Sequence, residues 1–113
     1  MDGSIIYRVS FSAAHRTPSG HSPDGLVHGH EWTIEIEAIR RYDASLDTAV
    51  SMLAQEFGGR DLSKMVTEDM YTLEFAAMLL ERFALTYPDV IRVSVHEGPY
   101  LTANAKREPR RTT

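Results

Sequence analysis

Two stretches of alternating side chains, separated by a turn-rich segment, constrain this chain more than any other feature. From Ile5 to His15, the residues Ile5, Tyr7, Val9, Phe11, Ala13 and His15 share one parity. Ser4, Arg8, Ser10 and Ser12 share the other, with Ile6 and Ala14 as exceptions. From about Val27 to Tyr42, His28, His30, Trp32, Ile34, Ile36 and Ala38 alternate with Glu31, Thr33, Glu35 and Glu37. Successive side chains of a strand leave on opposite faces, so each stretch predicts a β-strand with one buried face. Between them, Thr17 to Gly25 holds two prolines, two glycines, two serines and an aspartate, which predicts a surface loop. Such a loop can return the second strand antiparallel beside the first.

Further along, the period changes from two to that of a helix. Leu46, Ala49, Val50, Leu53 and Phe57 follow helical spacing, and Gly58-Gly59 is a stop. Leu73, Ala76, Ala77, Leu80, Phe83 and Ala84 form the apolar stripe of a second helix, with Thr72 as its expected N-cap and Pro88 as its end. Ile91, Val93, Val95 and Glu97 then alternate with Arg92, Ser94 and His96, predicting a third strand, and Tyr100 to Lys106 follows as a fourth. The order β-β-α-α-β-β is an α+β pattern.

A chain of 113 residues with 42% apolar content suits one compact domain, expected over residues 1–107. The stretch Lys106 to Thr113 holds four basic residues and a proline, and residues 108–113 are expected to be a solvated, flexible basic tail. The net charge of −4 argues against broad binding of nucleic acid, which needs a concentrated basic surface. There is no cysteine, which excludes a disulfide framework, a thiolate metal site and a cysteine nucleophile. That is compatible with a reducing cytoplasm, the expected location. Met1-Asp2-Gly3-Ser4 does not open a signal peptide, and no apolar run approaches membrane-spanning length.

Three histidines carry the chemistry. His28 and His30 lie two apart on a predicted strand, so their rings leave from one face, at the end nearest the loop. His15 closes the first strand just before that loop. With the strands antiparallel, the three imidazoles converge at one end of the sheet, on its apolar side. Neutral imidazoles suit Zn²⁺, which binds nitrogen at roughly 2.0–2.1 Å, and three ligands leave a fourth position open for water or substrate. The bland alternative is a set of core histidines with satisfied nitrogens. His21, inside the loop, is an exposed loop residue or a proton carrier. His96 has the parity of Arg92 and Ser94 and is expected to face solvent or a neighbouring subunit. Glu97 continues the inward parity of the third strand. It is either a strand end that reaches water or a carboxylate held for the N–H donors of a heterocycle.

Together, Phe11-Ser12-Ala13-Ala14-His15-Arg16 and His28-Gly29-His30-Glu31-Trp32 resemble the 6-pyruvoyl-tetrahydropterin and 6-carboxy-tetrahydropterin synthase family. Thr72-Leu73-Glu74 and Val95-His96-Glu97 are weaker matches. The resemblance implies a tunnelling fold: a four-stranded antiparallel sheet with two helices, joined by other subunits into an oligomeric barrel with sites at subunit interfaces. A homo-oligomer is therefore expected, a hexamer built as two trimers or a tetramer. Carried over, His15, His28 and His30 become zinc ligands. Glu97 becomes the anchor of a pterin-type ring, with Thr72 counted beside it as substrate-binding.

The sequence departs from the family's pattern in its proton relay. The synthases carry a cysteine shortly before the HGH motif, where this chain has Asp24 within Ser22-Pro23-Asp24-Gly25-Leu26-Val27. The family's Asp-His pair falls at Gly58 and Gly59, and no histidine lies between His30 and His96. A family branch with glutamate in place of the cysteine is associated with retro-aldol cleavage of dihydroneopterin-type side chains, and Asp24 is one methylene shorter. Asp24 is thus the first candidate for moving a proton, with Glu31 and His21 behind it; its alternative is an ordinary Pro-Asp-Gly turn. The expected function is a zinc-dependent lyase or isomerase acting on a pterin-like or other hydroxylated small molecule by proton abstraction. The alternative is a zinc-containing binding subunit that holds such a ligand or pairs with an active homologue.

Overall fold

A computed structural model describes residues 3–16, 27–65, 71–99 and 101–109, with only the backbone of Arg16, Val27 and His28. The elements run β1 (Ser4–Arg16), β2 (Val27–Ile39), α1 (Ala44–Ser51), α2 (Leu53–Phe57), α3 (Leu62–Met65), α4 (Thr72–Thr86), β3 (Val90–Glu97) and β4 (Leu101–Lys106). The strands form one antiparallel sheet in the order β1-β2-β3-β4. The helices cover one face, so the fold is the expected α+β arrangement.

The two alternating stretches pair residue for residue, from Ser4 opposite Ile39 to Arg16 opposite Val27. Their apolar sides meet the helices: Tyr7, Phe11, Trp32, Ile34 and Ile36 are buried against Leu53, Phe57, Phe75 and Leu79. Their other sides form a polar ladder. Arg8 pairs with Glu35, Ser10 with Thr33 and Ser12 with Glu31, each directly opposite its partner. Such cross-strand pairs contribute about 0.2–1 kcal/mol each and resist a register slip, which would turn the apolar set to solvent. His96 lies on this polar face, between Glu35 and Thr102.

Several local details differ from the sequence pattern. The first expected helix is broken at Met52 into α1 and α2, and α3 adds a short turn before the second. Asp43 caps α1, its carboxylate accepting from the backbone N–H of Ser45 and Leu46. Thr72 is not the cap of α4. Tyr71 holds that position, and Thr72 is the first helical residue. Its hydroxyl is therefore free of capping and turns to β3. Tyr87, before Pro88, is extended and closes the helix, as steric pressure from the following proline favours. In β3, a register shift between Glu37 and Ala38 pairs Ala38 with Val90 and leaves Ile91 only half-buried, so Val90 takes the inward place. Lys106 belongs to β4, the Arg107 amide donates to Ile91, and its guanidinium donates to the carbonyl of Pro88. Among the described residues no helix is long and apolar enough to cross a membrane.

Candidate metal and ligand site

The β1–β2 register sets His15 opposite His28 and Ala13 opposite His30, and the β2–β3 register sets Trp32 opposite Glu97. His15, His30 and Glu97 thereby reach the same end of the sheet on its helix-covered side. His15 is only 1% exposed, and its ring meets that of His30 at 5.0 Å between centroids. Trp32 forms the floor. Its ring stands edge-on to His15 at 5.0 Å and to Phe75 of α4 at 5.9 Å, and its Nε1–H donates to the Ala13 carbonyl at 3.1 Å. That bond ties the indole to β1 two residues before His15.

Glu97 is the hub. Its Oε1 accepts the Thr72 hydroxyl at 2.6 Å and lies 3.6 Å from His15 Nε2, while Oε2 lies 3.3 Å from His30 Nε2. Its side chain is 12% exposed. Burial alone would raise the carboxyl pKa. The approach of His15, the hydrogen bond from Thr72 and the field of His30 outweigh it and hold the group at about 2. Glu97 is thus an anion whose oxygens are oriented by Thr72, His15 and His30.

The donor set fits a zinc ion. One donor atom from each of His15, His30 and Glu97 lies within 4.8 Å of the others. Tetrahedral ligands at zinc–nitrogen distances stand about 3.4 Å apart, close to the two imidazole–carboxylate separations here. The chemistry is that of a borderline ion taking nitrogen and oxygen donors.

The structure brings together His15, His30, Glu97 and Thr72. It places the backbone of His28 across the ladder from His15; the His28 side chain, His21 and Asp24 lie outside the described residues. Glu31 is exposed on the polar face, where it accepts from Ser12. A cleft of about 610 Å³ opens beside His30, between Gly29 and the loop Gly59-Arg60-Asp61, and Glu31 also lines it. A second, of about 510 Å³, lies between α1–α2 and α4 around Met52 and Phe83, remote from the histidines. Sequence reasoning missed the role of Trp32 and the approach of Glu97 to both imidazoles. The inward parity of each residue was the available signal; the β2–β3 register that joins them was not.

A family model of 6-pyruvoyl tetrahydropterin synthase matches residues 4–108. The chain belongs to the 6-pyruvoyl tetrahydropterin synthase family. Its fold is similar to that of the Caenorhabditis elegans 6-pyruvoyl tetrahydropterin synthase, with a TM-score of 0.79 at 19% identity over 96% of this chain and 97% of the other. An uncharacterized protein from Wolinella succinogenes gives 0.74 at 14% identity, over 96% and 99%. A catalytic-residue mutant of the Plasmodium vivax 6-pyruvoyltetrahydropterin synthase gives 0.67 at 15% identity, over 95% and 98%. At these identities the likeness concerns the fold. No curated protein matches the chain.

Proposed function

We propose that this chain is a zinc-dependent lyase or isomerase of the pterin synthase type, acting on a pterin-like or other hydroxylated small molecule by proton abstraction. The observation that carries this reading is the convergence of His15, His30 and Glu97, with Thr72 fixing the carboxylate, at the end of the sheet that adjoins the 17–26 segment. His15, His28 and His30 are the residues that would hold the metal. Zinc held there would supply acidity to protons beside a hydroxyl or carbonyl oxygen of the substrate.

The remaining work falls to the chain itself. Glu97, kept ionised, accepts N–H donors of the guest ring, and Thr72 orients it for them. Trp32 and Phe75 exclude water behind the ring. A side chain must then carry the proton. Asp24, in the segment that joins β1 to β2, is the first candidate, with His21 of the same segment and Glu31, which lines the cleft beside His30, behind it. The working unit is a homo-oligomer, a hexamer of two trimers or a tetramer, in the cytoplasm.

The second reading, a binding subunit without turnover, draws on one observation. Gly58 has no room for a side chain, because a Cβ there would collide with the Ala54 carbonyl. A relay residue cannot be seated at that position on this backbone. One experiment separates the readings: zinc-loaded protein is assayed with dihydroneopterin triphosphate, dihydroneopterin and related polyols. Turnover lost in Asp24→Ala supports the enzyme. Tight binding of every compound without conversion leaves the binding subunit, and stoichiometrically metal-free protein that ignores added zinc removes both.

A further inference from the structure

We infer that Gly58-Gly59 forms a backbone clamp that positions His15 and thereby sets the affinity of the metal site. The inference rests on the metal reading above. β1 is an edge strand, and one side of its backbone has no strand neighbour in the sheet. After α2 the chain doubles back along that side. The Gly59 amide donates to the Ser12 carbonyl at 2.7 Å, the Ala14 amide donates to the Arg60 carbonyl at 2.9 Å, and Ala14 bridges in parallel to Asp61. These contacts bracket Ala13 and end one residue before His15. On the other side, Ala13 and His15 pair with His30 and His28 of β2. The end of β1 that carries the buried histidine is therefore gripped from both sides.

The clamp needs glycine at both positions. Gly58 donates its amide to the Ala54 carbonyl at 2.9 Å, and the chain passes so close to that oxygen that a Cβ would strike it. Gly59 has φ +72°, in the left-handed region, with open space around the missing Cβ. The demand at Gly59 is thus one of backbone conformation alone. The strap is rooted at both ends, by Phe57 before it and Leu62 after it, both fully buried. Asp61 adds a side-chain bond to the Ser63 amide at 3.0 Å. His15 has little freedom to compensate, since its ring is wedged against Trp32 and His30. A shift at the end of β1 passes directly into the donor geometry.

The test uses Co²⁺ as the probe, with affinity read by chelator competition and geometry by the d–d absorption band. Gly59→Ala should weaken Co²⁺ binding by about tenfold or more, the range seen when groups that orient metal ligands are altered. Gly59→Asn should stay within about threefold of the native protein, because asparagine tolerates the left-handed region. Phe83→Leu, in α4 and away from the strap, should lower Tm yet also stay within about threefold, since distant sites act independently. Native affinity in Gly59→Ala overturns the clamp. So does an equal loss in Gly59→Asn or in Phe83→Leu, which would tie affinity to bulk or to global stability. Amide exchange gives a check that needs no variant. The Ala14 amide of the native protein should be protected like the β1 amides that pair with β2, and exchange at the open-chain rate overturns the clamp. A native protein that binds no Co²⁺ overturns the metal reading itself, a result distinct from intact binding that Gly59→Ala leaves unchanged.

Discussion

Replacing Glu97 with glutamine separates its two possible roles, as ring anchor and as metal donor. The substitution keeps the shape of the side chain and its capacity to accept the Thr72 hydroxyl, which lies 2.6 Å from Oε1. It removes the charge and turns one acceptor into an N–H₂ donor. An ionised carboxylate receiving two N–H bonds from a ring gains about 1.5–3 kcal/mol for each charge-assisted bond. The glutamine loses one of these bonds, meets a donor with a donor, and weakens the other. A loss of about 2–4 kcal/mol follows, which is about 30- to 1,000-fold in affinity. Metal binding should respond less, because the proposed ligands His15, His28 and His30 remain; a change of about tenfold, the low end for loss of a neighbouring group, is expected. Fluorescence titration of a pterin onto zinc-loaded protein measures the first quantity, and chelator competition measures the second. Native pterin affinity in Glu97→Gln would refute the anchoring role. Metal affinity lost with pterin binding intact would make Glu97 a zinc ligand instead.

The same carboxylate gives the metal-free protein a pH signature. Its folded pKa, about 2, lies below the ordinary carboxylate value of 4.5, so its stabilising contribution is present above pH 4.5 and is lost as pH falls toward 2. The difference in Tm between native protein and Glu97→Gln should therefore shrink on acidification through that window; a constant difference would show that charge is not its source. Chelation should lower Tm of the loaded protein, since a ligand at 1,000 times its Kd stabilises the fold by about 4 kcal/mol, and calorimetry with and without chelator reads the shift. Trp32→Phe should cost about 1–3 kcal/mol in urea unfolding, because the buried Ala13 carbonyl loses the indole donor. A cavity penalty adds to this, and an unchanged midpoint would argue that the bond contributes nothing.

How much of this was legible depends on the range of the interaction. Alternation along Ile5–His15 and Val27–Tyr42 already contained β1, β2 and their apolar faces, though β2 stops at Ile39, because parity is a local property of extended chain. The placement of His15 and His30 followed once the two strands were taken as antiparallel neighbours. Thr72 shows the limit of local pattern, which made it a helix cap, whereas the backbone starts the helix one residue earlier and its hydroxyl bonds Glu97 instead. The β2–β3 register could not be read, since Trp32 and Glu97 are separated by four helical segments and no local rule aligns them. The break at Met52 and the short α3 were hidden for a related reason, the strap along β1 being a tertiary demand that overrides helical spacing.

The cluster at the end of the sheet carries a desolvation cost that apolar side chains would not. A carboxylate 12% exposed and a histidine 1% exposed are costly to desolvate, and a buried pair of this kind is often no more stable than apolar side chains of the same size. Leucine at these positions would extend the stripe formed by Phe11, Ala13, Trp32 and Val95 without that expense. The polar groups are instead held in place from four directions: by β1 and β2 through the histidines, by β3 through Glu97, and by the first turn of α4 through Thr72. Four elements that orient a few buried polar side chains are hard to explain as packing. They are what a site requires when its groups must stay ionised, dry and aimed at a guest that has yet to arrive.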